Sequence, residues 1–257
     1  MDPQHPSALA CSFERLYPLS PDERERLDRL AETCEQVAPR RKLIDEGKPC
    51  GHLFVLKSGW LAESRQLRDG GRQILNFRLP GDIVGIECLA YRTALHSTVA
   101  LTRCQVAQLP PEDFEQIQRE FPRLATALFL MTLREGAILH EWEVRLGRRL
   151  AFSRIAHLLL ELERRLRNRG LVTEEDGDIM PFPLTQQDIA DCTGLSVPYV
   201  NRNLQRMRDE GFIRLGDRKL EMLDRPGLAK AAGFAPEYVE TWGQGWTGRN
   251  LREAPSR

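Results

Sequence analysis

Residues 184–223, LTQQDIADCTGLSVPYVNRNLQRMRDEGFIRLGDRKLEML, hold the side chains whose types and spacing could do chemistry, and that chemistry is the reading of base edges. Thr185 followed three residues later by Asp188 is a capping pair that opens a short helix over 185–192, with Ile189 and Ala190 on its apolar side. Thr193-Gly194-Leu195 then makes a tight turn. Ser196 caps a second helix, and Pro198 sits in its first turn, where a missing N–H does no harm. Two short helices across a three-residue glycine turn form a helix-turn-helix unit. At about 100° per residue, Val200, Leu204 and Met207 share one face of the second helix. Pro198, Arg202, Gln205 and Arg206 lie on the opposite face, flanked by Tyr199 and Asn201. Across 196–208 there are three Arg and no acid. Arg can bond guanine bidentately, and Asn or Gln can bond adenine. Residues 212–215, the turn Gly216-Asp217-Arg218 and residues 219–223 read as a hairpin, which makes the unit winged. The expected DNA-contacting set is Thr185, Gln186 and Gln187 at the start of the first helix, with Ser196, Pro198, Tyr199, Asn201, Arg202, Gln205 and Arg206 on the second.

The rest of the chain offers little competing chemistry. It has no Ser/His/Asp set, phosphate-binding glycine loop, dinucleotide fingerprint or metal-ligand spacing, so neither an enzyme nor a metal site is expected. His5, His52, His96, His140 and His157 are unpaired in sequence and read as ordinary surface or core residues. Cys11, Cys34, Cys50, Cys88, Cys104 and Cys192 form no C-x-x-C pair. They are expected as reduced thiols of a cytoplasmic protein, Cys192 as a small buried residue. Hydrophobic residues make up 41% and charged residues 29%, enough apolar material to bury a core and to exclude wholesale disorder. Lys+Arg and Asp+Glu are 37 each, so a globally basic coat is absent and nucleic-acid binding must come from a local patch. No run of 18 apolar residues and no secretory signal occur, so no membrane partner is expected.

The elements that must position this unit can be followed from the N-terminus. Residues 1–19 read as an irregular lead. Ser20-Pro21-Asp22-Glu23 starts a helix with a capping box, expected to run to about Gln36. Over 37–109 short apolar runs (52–57, 73–78, 83–86, 98–101, 105–109) alternate with turn signals, the texture of a small barrel or sandwich. Asp69-Gly70-Gly71 is the strongest hairpin turn among them. Residues 111–119 form a short helix and Pro122 opens a long one. Along it Leu124, Leu128, Met131, Glu135, Ile138, Trp142 and Arg145 recur at heptad spacing. This stripe is either a core face or a seam between two subunits; Glu135 and Arg145 favour the seam, where they could pair or reach water. Gly147 interrupts the pattern and marks a domain boundary or hinge, after which 148–169 resumes as a helix. Residues 170–178 are an acidic loop, and 224–257, with Trp242 and Trp246, are a tail of unassigned role.

Residues 22–223 resemble the bacterial transcription-regulator family of the cyclic-AMP receptor protein and FNR. The likeness rests on PGDIVGIECL (80–89), the long helix, LGRRLAFSRIAHLLLEL (146–162) and LTQQDIADCTGLSVPYVNRNLQRMRDEGFI (184–213). It implies an α+β chain in five parts: a lead (1–21), a jelly-roll effector domain (22–121), a dimerisation helix (122–146), a winged helix-turn-helix domain (147–223) and the tail (224–257). It also implies a homodimer on double-stranded DNA with half-sites about one helical turn apart, RNA polymerase as a partner, and Arg202 as the base-reading residue. The family's cyclic-nucleotide cassette is not matched. Its Gly-Glu pair for the ribose falls on Gly85-Ile86, with Glu87 one residue late and, in a strand, on the opposite face. Its Arg-Ser pair for the phosphate falls near Ala94-Leu95, with Arg92-Thr93 two residues early. Cyclic AMP is therefore not expected to bind, no other cofactor is evident, and the effector is unidentified. Iron–sulfur members cluster three Cys near the N-terminus, where this chain has Cys11 alone. Many relatives carry an acid at the position of Pro198, so the operator is expected to differ from the family's familiar one. The alternative within this fold is an effector-independent or thiol-responsive regulator.

Overall fold

A computed structural model describes residues 7–30, 32–172 and 177–240. Helix α1 (Ala8–Glu14) lies within the stretch expected to be irregular. Ser7 Oγ accepts from Ala10 N–H at 3.1 Å, and Leu9 and Phe13 have a core to enter. The helix crosses the Pro80-Gly81-Asp82 turn so closely that any Cβ at Gly81 would collide with the Ala8 carbonyl. Helix α2 (Pro21–Leu30) has the expected capping box: Ser20 Oγ accepts from Glu23 N–H, and the Glu23 carboxylate accepts from Ser20 N–H at 2.7 Å. It stops short of Gln36 because Cys34–Val37 is strand β1, claimed by cross-strand pairing.

Strands β2 (Lys42–Ile44), β3 (Leu53–Ser58), β4 (Leu61–Gln66), β5 (Arg72–Arg78), β6 (Ile83–Val84), β7 (Ser97–Ala100) and β8 (Cys104–Leu109) complete two antiparallel sheets, ordered β1-β8-β3-β6 and β2-β7-β4-β5. Both sheets contribute to one buried cluster containing Val37, Leu56, Leu61, Val84, Ala100 and Val106, so they face each other as a sandwich. Gly70 turns the β4–β5 hairpin at φ +86°. Residues Ile86–Leu89 form a 3₁₀ turn rather than an extension of β6. Cys50 and Cys88, expected as free thiols, are joined in a disulfide. Folding brings their Cα atoms to 5.6 Å, a juxtaposition their 38-residue separation conceals.

Helix α3 (Pro111–Glu120) leads into α4 (Pro122–Arg148), which runs through Gly147 without a break. The chain turns two residues later, at extended Arg149 and Leu150, before α5 (Ala151–Arg167). The stripe expected as a subunit seam is covered inside one chain. Leu124, Leu128 and Met131 pack with α1, α2 and β3 against one sheet. Ile138 and Trp142 join a cluster that runs from Trp60, Ile74 and Phe77 into the C-terminal domain. Glu135 is bonded to Asn76 (3.1 Å) and Arg78 (2.7 Å). Arg145 is fully buried, 4.1 Å above the Trp142 ring and 3.6 Å from Glu161. Helical periodicity marks such a face without specifying what covers it.

The C-terminal domain holds β9 (Ile179–Pro181), α6 (Gln186–Thr193), α7 (Val197–Asp209), β10 (Ile213–Gly216), β11 (Lys219–Met222) and α8 (Arg225–Ala232). The segment expected as a tail is part of its core as far as residue 240: Leu228, Ala232 and Val239 are buried. Asp224 caps α8 by accepting from Gly227 N–H at 2.8 Å. Trp242 and Trp246 lie outside the described residues, as do Glu174, Glu175 and Asp176 of the acidic loop.

Candidate nucleic-acid interface

Local chemistry sets the helix pair. Thr185 Oγ1 accepts from Asp188 N–H (3.1 Å) and the Asp188 carboxylate accepts from Thr185 N–H (3.0 Å), a closed capping box. Gly194 ends α6 in the left-handed region at φ +64°, a conformation that costs glycine little. Leu195 N–H then reaches the Ala190 carbonyl at 3.2 Å, which fixes the exit direction. Ser196 is the residue before α7, but its side chain makes no capping bond, contrary to expectation. Val200, Leu204 and Met207 are completely buried, which fixes the rotation of α7 about its axis. Pro198, Tyr199, Asn201, Arg202, Gln205 and Arg206 are consequently exposed on the outer side.

These exposed side chains differ in how far they are already engaged. Arg206 donates to Glu210 at 2.6 Å and lies 4.7 Å from the Phe152 ring centroid. Gln205 donates to Asp209 at 2.7 Å, so the two acids just beyond the cation-only stretch reach back onto it. Asn201 donates to Gln186 at 3.3 Å, bringing the two helices together, and Gln187 donates to Asp191 at 2.6 Å. Arg202 has no acid partner among the described residues; its guanidinium lies 5.2 Å from the Tyr199 ring. The wing pairs Gly216 with Lys219 around Asp217 and Arg218, both at positive φ, so its loop has two residues. Strand β9 adds a third strand through its pairing with β11.

Three supports of this unit have no local sequence signal. Arg154 of α5 donates to the Thr193 carbonyl at the turn (3.2 Å) and to the Arg149 carbonyl at the end of α4 (2.8 Å). Arg72 of β5 donates to Asp191 (2.6 Å) and Asp188 (2.8 Å), tying α6 to the barrel across more than a hundred residues. Burial pulls the Arg72 pKa down, but its bonds to the two aspartates outweigh this and raise it. Finally, a fully buried cluster at the domain junction sets Asp82 against Arg165 and Arg169.

Residues 153–231 match the family model described as a Crp-like helix-turn-helix domain, and residues 34–121 match that of a cyclic nucleotide-binding domain. The nitrogen fixation regulation protein FixK of Bradyrhizobium diazoefficiens is 33% identical over 184 residues, spanning 71% of this chain and 74% of that protein. The chain belongs to the Crp/Fnr family of transcription regulators. The transcriptional activator protein anr of Pseudomonas aeruginosa is 28% identical over 81% of this chain and 85% of its own length. The structure of FixK2 from Bradyrhizobium japonicum superposes with a TM-score of 0.69 at 26% identity, over 77% of this chain and 96% of that one. The Crp/Fnr architecture is thus an N-terminal cyclic-nucleotide-binding-like β domain, a long helix and a C-terminal helix-turn-helix domain. The protein is a transcription regulator and not an enzyme. Among the described residues no helix is long and apolar enough to cross a membrane.

In this Crp/Fnr member a cavity of about 260 Å³ lies between the barrel and α4, lined among others by Arg78, Ile86, Glu87, Met131, Thr132 and Glu135. Glu87 borders it together with Ile86, because residues 86–89 are helical and the strand alternation expected to turn Glu87 away does not apply. A cyclic nucleotide does not fit this donor set. The one lining arginine, Arg78, is already held by Glu63 (2.8 Å) and Glu135 (2.7 Å). Burial would raise the Glu63 pKa, but Arg78 and His96 outweigh it and hold it down to about 2, so the pair stays ionised. A phosphate in the cavity would face the carboxylates of Glu87 and Glu135 without an uncommitted guanidinium. Arg92 is exposed and is not among the residues lining the cavity. Titration calorimetry with cyclic AMP is expected to show no saturable micromolar binding; such binding would mean that Arg78 exchanges its carboxylate partners for phosphate.

Proposed function

We propose that this Crp/Fnr regulator binds a two-fold DNA site as a homodimer and that Arg202 reads a base. The observation that carries the proposal is Arg202 itself, an acid-free cation on the outer face of a helix whose inner face is completely buried. A cation with no acid partner among the described residues is available to a guanine edge, and a helix with fixed rotation presents it in one direction. Arg206, committed to Glu210, suits phosphate. Thr185, Gln186 and Gln187 at the start of α6 are assigned to the DNA backbone, with Pro198, Tyr199, Asn201 and Gln205 bordering the bases. Ser196, without a capping bond, keeps a hydroxyl for phosphate.

The dimer is assigned to the face of α4 opposite the buried stripe. Phe129, Leu133 and Val144 are 62%, 54% and 46% exposed, and Gly136 and His140 share that face. A Cβ added at Gly136 would meet nothing within 4 Å, so a second helix could approach closely there. Two copies packed along this stripe would hold two copies of α7 in a two-fold arrangement. Family membership supports RNA polymerase as a partner and the cytoplasm as the place of action.

Selection of bound duplexes from a random-sequence library is expected to return a two-fold symmetric motif. With Arg202→Ala, affinity should fall by about 1–3 kcal/mol, and preference should flatten at one base pair in each half-site. Arg206→Ala should weaken binding to all sequences alike. An unchanged motif with Arg202→Ala would remove the base-reading assignment.

A further inference from the structure

We infer that the Cys50–Cys88 bond is a thiol–disulfide exchange site in the effector domain, reacting with low-molecular-weight thiols and disulfides, and that its state sets DNA affinity. The inference rests on the DNA-binding reading above and adds what regulates it.

The bond holds an element that little else holds. The 3₁₀ turn Ile86–Leu89 has no fully buried residue. Its backbone bonds are local: Cys88 N–H to Gly85 C=O, and Ala90 and Tyr91 N–H to Glu87 C=O. The Glu87 carboxylate also lies 3.2 Å from His96, an ion pair when the imidazole is protonated. Elements with few buried anchors sit at the low end of local stability, so a covalent tie has a large effect on their order. The tie runs to a loop that is itself anchored. Gly47 N–H bonds Ala94 C=O, Ala94 N–H bonds Lys48 C=O, and Cys50 N–H bonds Arg92 C=O.

The same turn forms part of the wall against α4. Glu87 and Ile86 line the cavity shared with Met131, Thr132 and Glu135, and Ile86 packs on the cluster containing Leu124 and Leu128. Opening the bond frees this wall, on the side of α4 opposite the proposed dimer stripe. Both cysteines are half-buried, leaving part of each in contact with solvent, whereas Cys104 and Cys192 are buried. Burial pushes the Cys192 thiol up to about 12 and raises that of Cys104, leaving both poor nucleophiles.

The exchange balances without a metal or further cofactor. A thiolate RS⁻ attacks one sulfur of the bond; the S–S bond breaks, and its electron pair leaves on the other cysteine, which takes a proton. A second RSH releases RSSR, so the protein gains two thiols while two RSH become one RSSR. Oxidised glutathione runs the reaction in reverse.

The test uses the full-length wild type and Cys50→Ser/Cys88→Ser, equilibrated in reduced or oxidised glutathione. Alkylation after denaturation, read by mass spectrometry, should count four thiols in the oxidised wild type and six in the reduced. On the selected duplex, reduction should weaken wild-type binding by about tenfold, within the ordinary range of coupling between sites. The double variant should bind like the reduced wild type under both conditions, with circular dichroism confirming its fold. Equal affinity of the two wild-type forms would overturn the inference, as would tighter binding on reduction, or a redox response that survives in the double variant. Recovery of no duplex by either form would instead overturn the DNA-binding reading.

Discussion

Replacing Phe129 and Leu133 together by Glu is expected to convert the protein from dimer to monomer and to weaken binding to the full two-fold site at least roughly a hundredfold, about 2.7 kcal/mol. Both side chains are more than half exposed in the single chain, so the substitutions remove almost no intrachain packing and should leave the fold intact. At a two-fold contact the same changes place four carboxylates in one desolvated seam, where unpaired charge is strongly unfavourable. A monomer engages one half-site and loses the contribution of the second. Light scattering should report a mass near 29.4 kDa, while circular dichroism stays that of the wild type. Met131→Glu with Ile138→Glu makes the contrasting pair. Those residues are buried in the chain's own core, so that variant should unfold rather than dissociate. A folded dimer carrying glutamates at 129 and 133, with unchanged DNA affinity, would move the interface off this face.

That contrast marks where the sequence is legible. The helix-turn-helix unit can be read because everything that builds it is local: the Thr185–Asp188 box, left-handed Gly194 and the Val200/Leu204/Met207 stripe are all fixed by neighbours within a few residues. Helix α4 is apolar on two sides. Periodicity finds both faces, but only the fold decides that Leu124 to Arg145 face inward and Phe129 to Val144 outward. Arg145 and Glu135, charged residues that argued for a seam, instead find partners in Glu161, Arg78 and Asn76 from other elements. Strand β4, the first arm of the Asp69-Gly70-Gly71 hairpin, carries little signal of its own for a similar reason. Its LAESRQ sequence lacks apolar alternation, and two of its four buried positions are the polar Glu63 and Ser64, Glu63 paired with Arg78. The disulfide, the Arg72 grip on α6 and the docking of α8 are long-range pairings that no local spacing encodes.

The charge cluster around Asp82 carries the other large expectation. Asp82 sits in the turn between β5 and β6, where its carboxylate accepts from Leu79 N–H at 2.8 Å. Arg165 near the end of α5 and Arg169 just beyond it bond the same carboxylate, and Arg165 also donates to the Phe77 carbonyl (2.8 Å) and Asn76 (3.0 Å). All three charged side chains are almost fully excluded from solvent. Burial would raise the Asp82 pKa, but the two guanidiniums outweigh it and hold it at about 2. Asp82→Asn keeps the shape, removes the charge and leaves two buried arginines sharing a neutral amide. Breaking a buried pair in this way costs about 3–5 kcal/mol, and a drop of that size is expected in urea unfolding at neutral pH. The pH dependence supplies an independent check. The folded pKa lies below the ordinary carboxylate value of about 3.9, so the ionised form favours the folded state. The stabilisation is therefore complete above about pH 4 and is lost as the pH falls toward 2. Glu63, held down to about 2 by Arg78, contributes a limb of the same sign. The acid limb of stability should thus become shallower in Asp82→Asn without disappearing. A variant within about 0.5 kcal/mol of wild type, with an unchanged acid limb, would mean that water already screens the cluster and that the junction between barrel and DNA-binding domain is held by its apolar contacts alone.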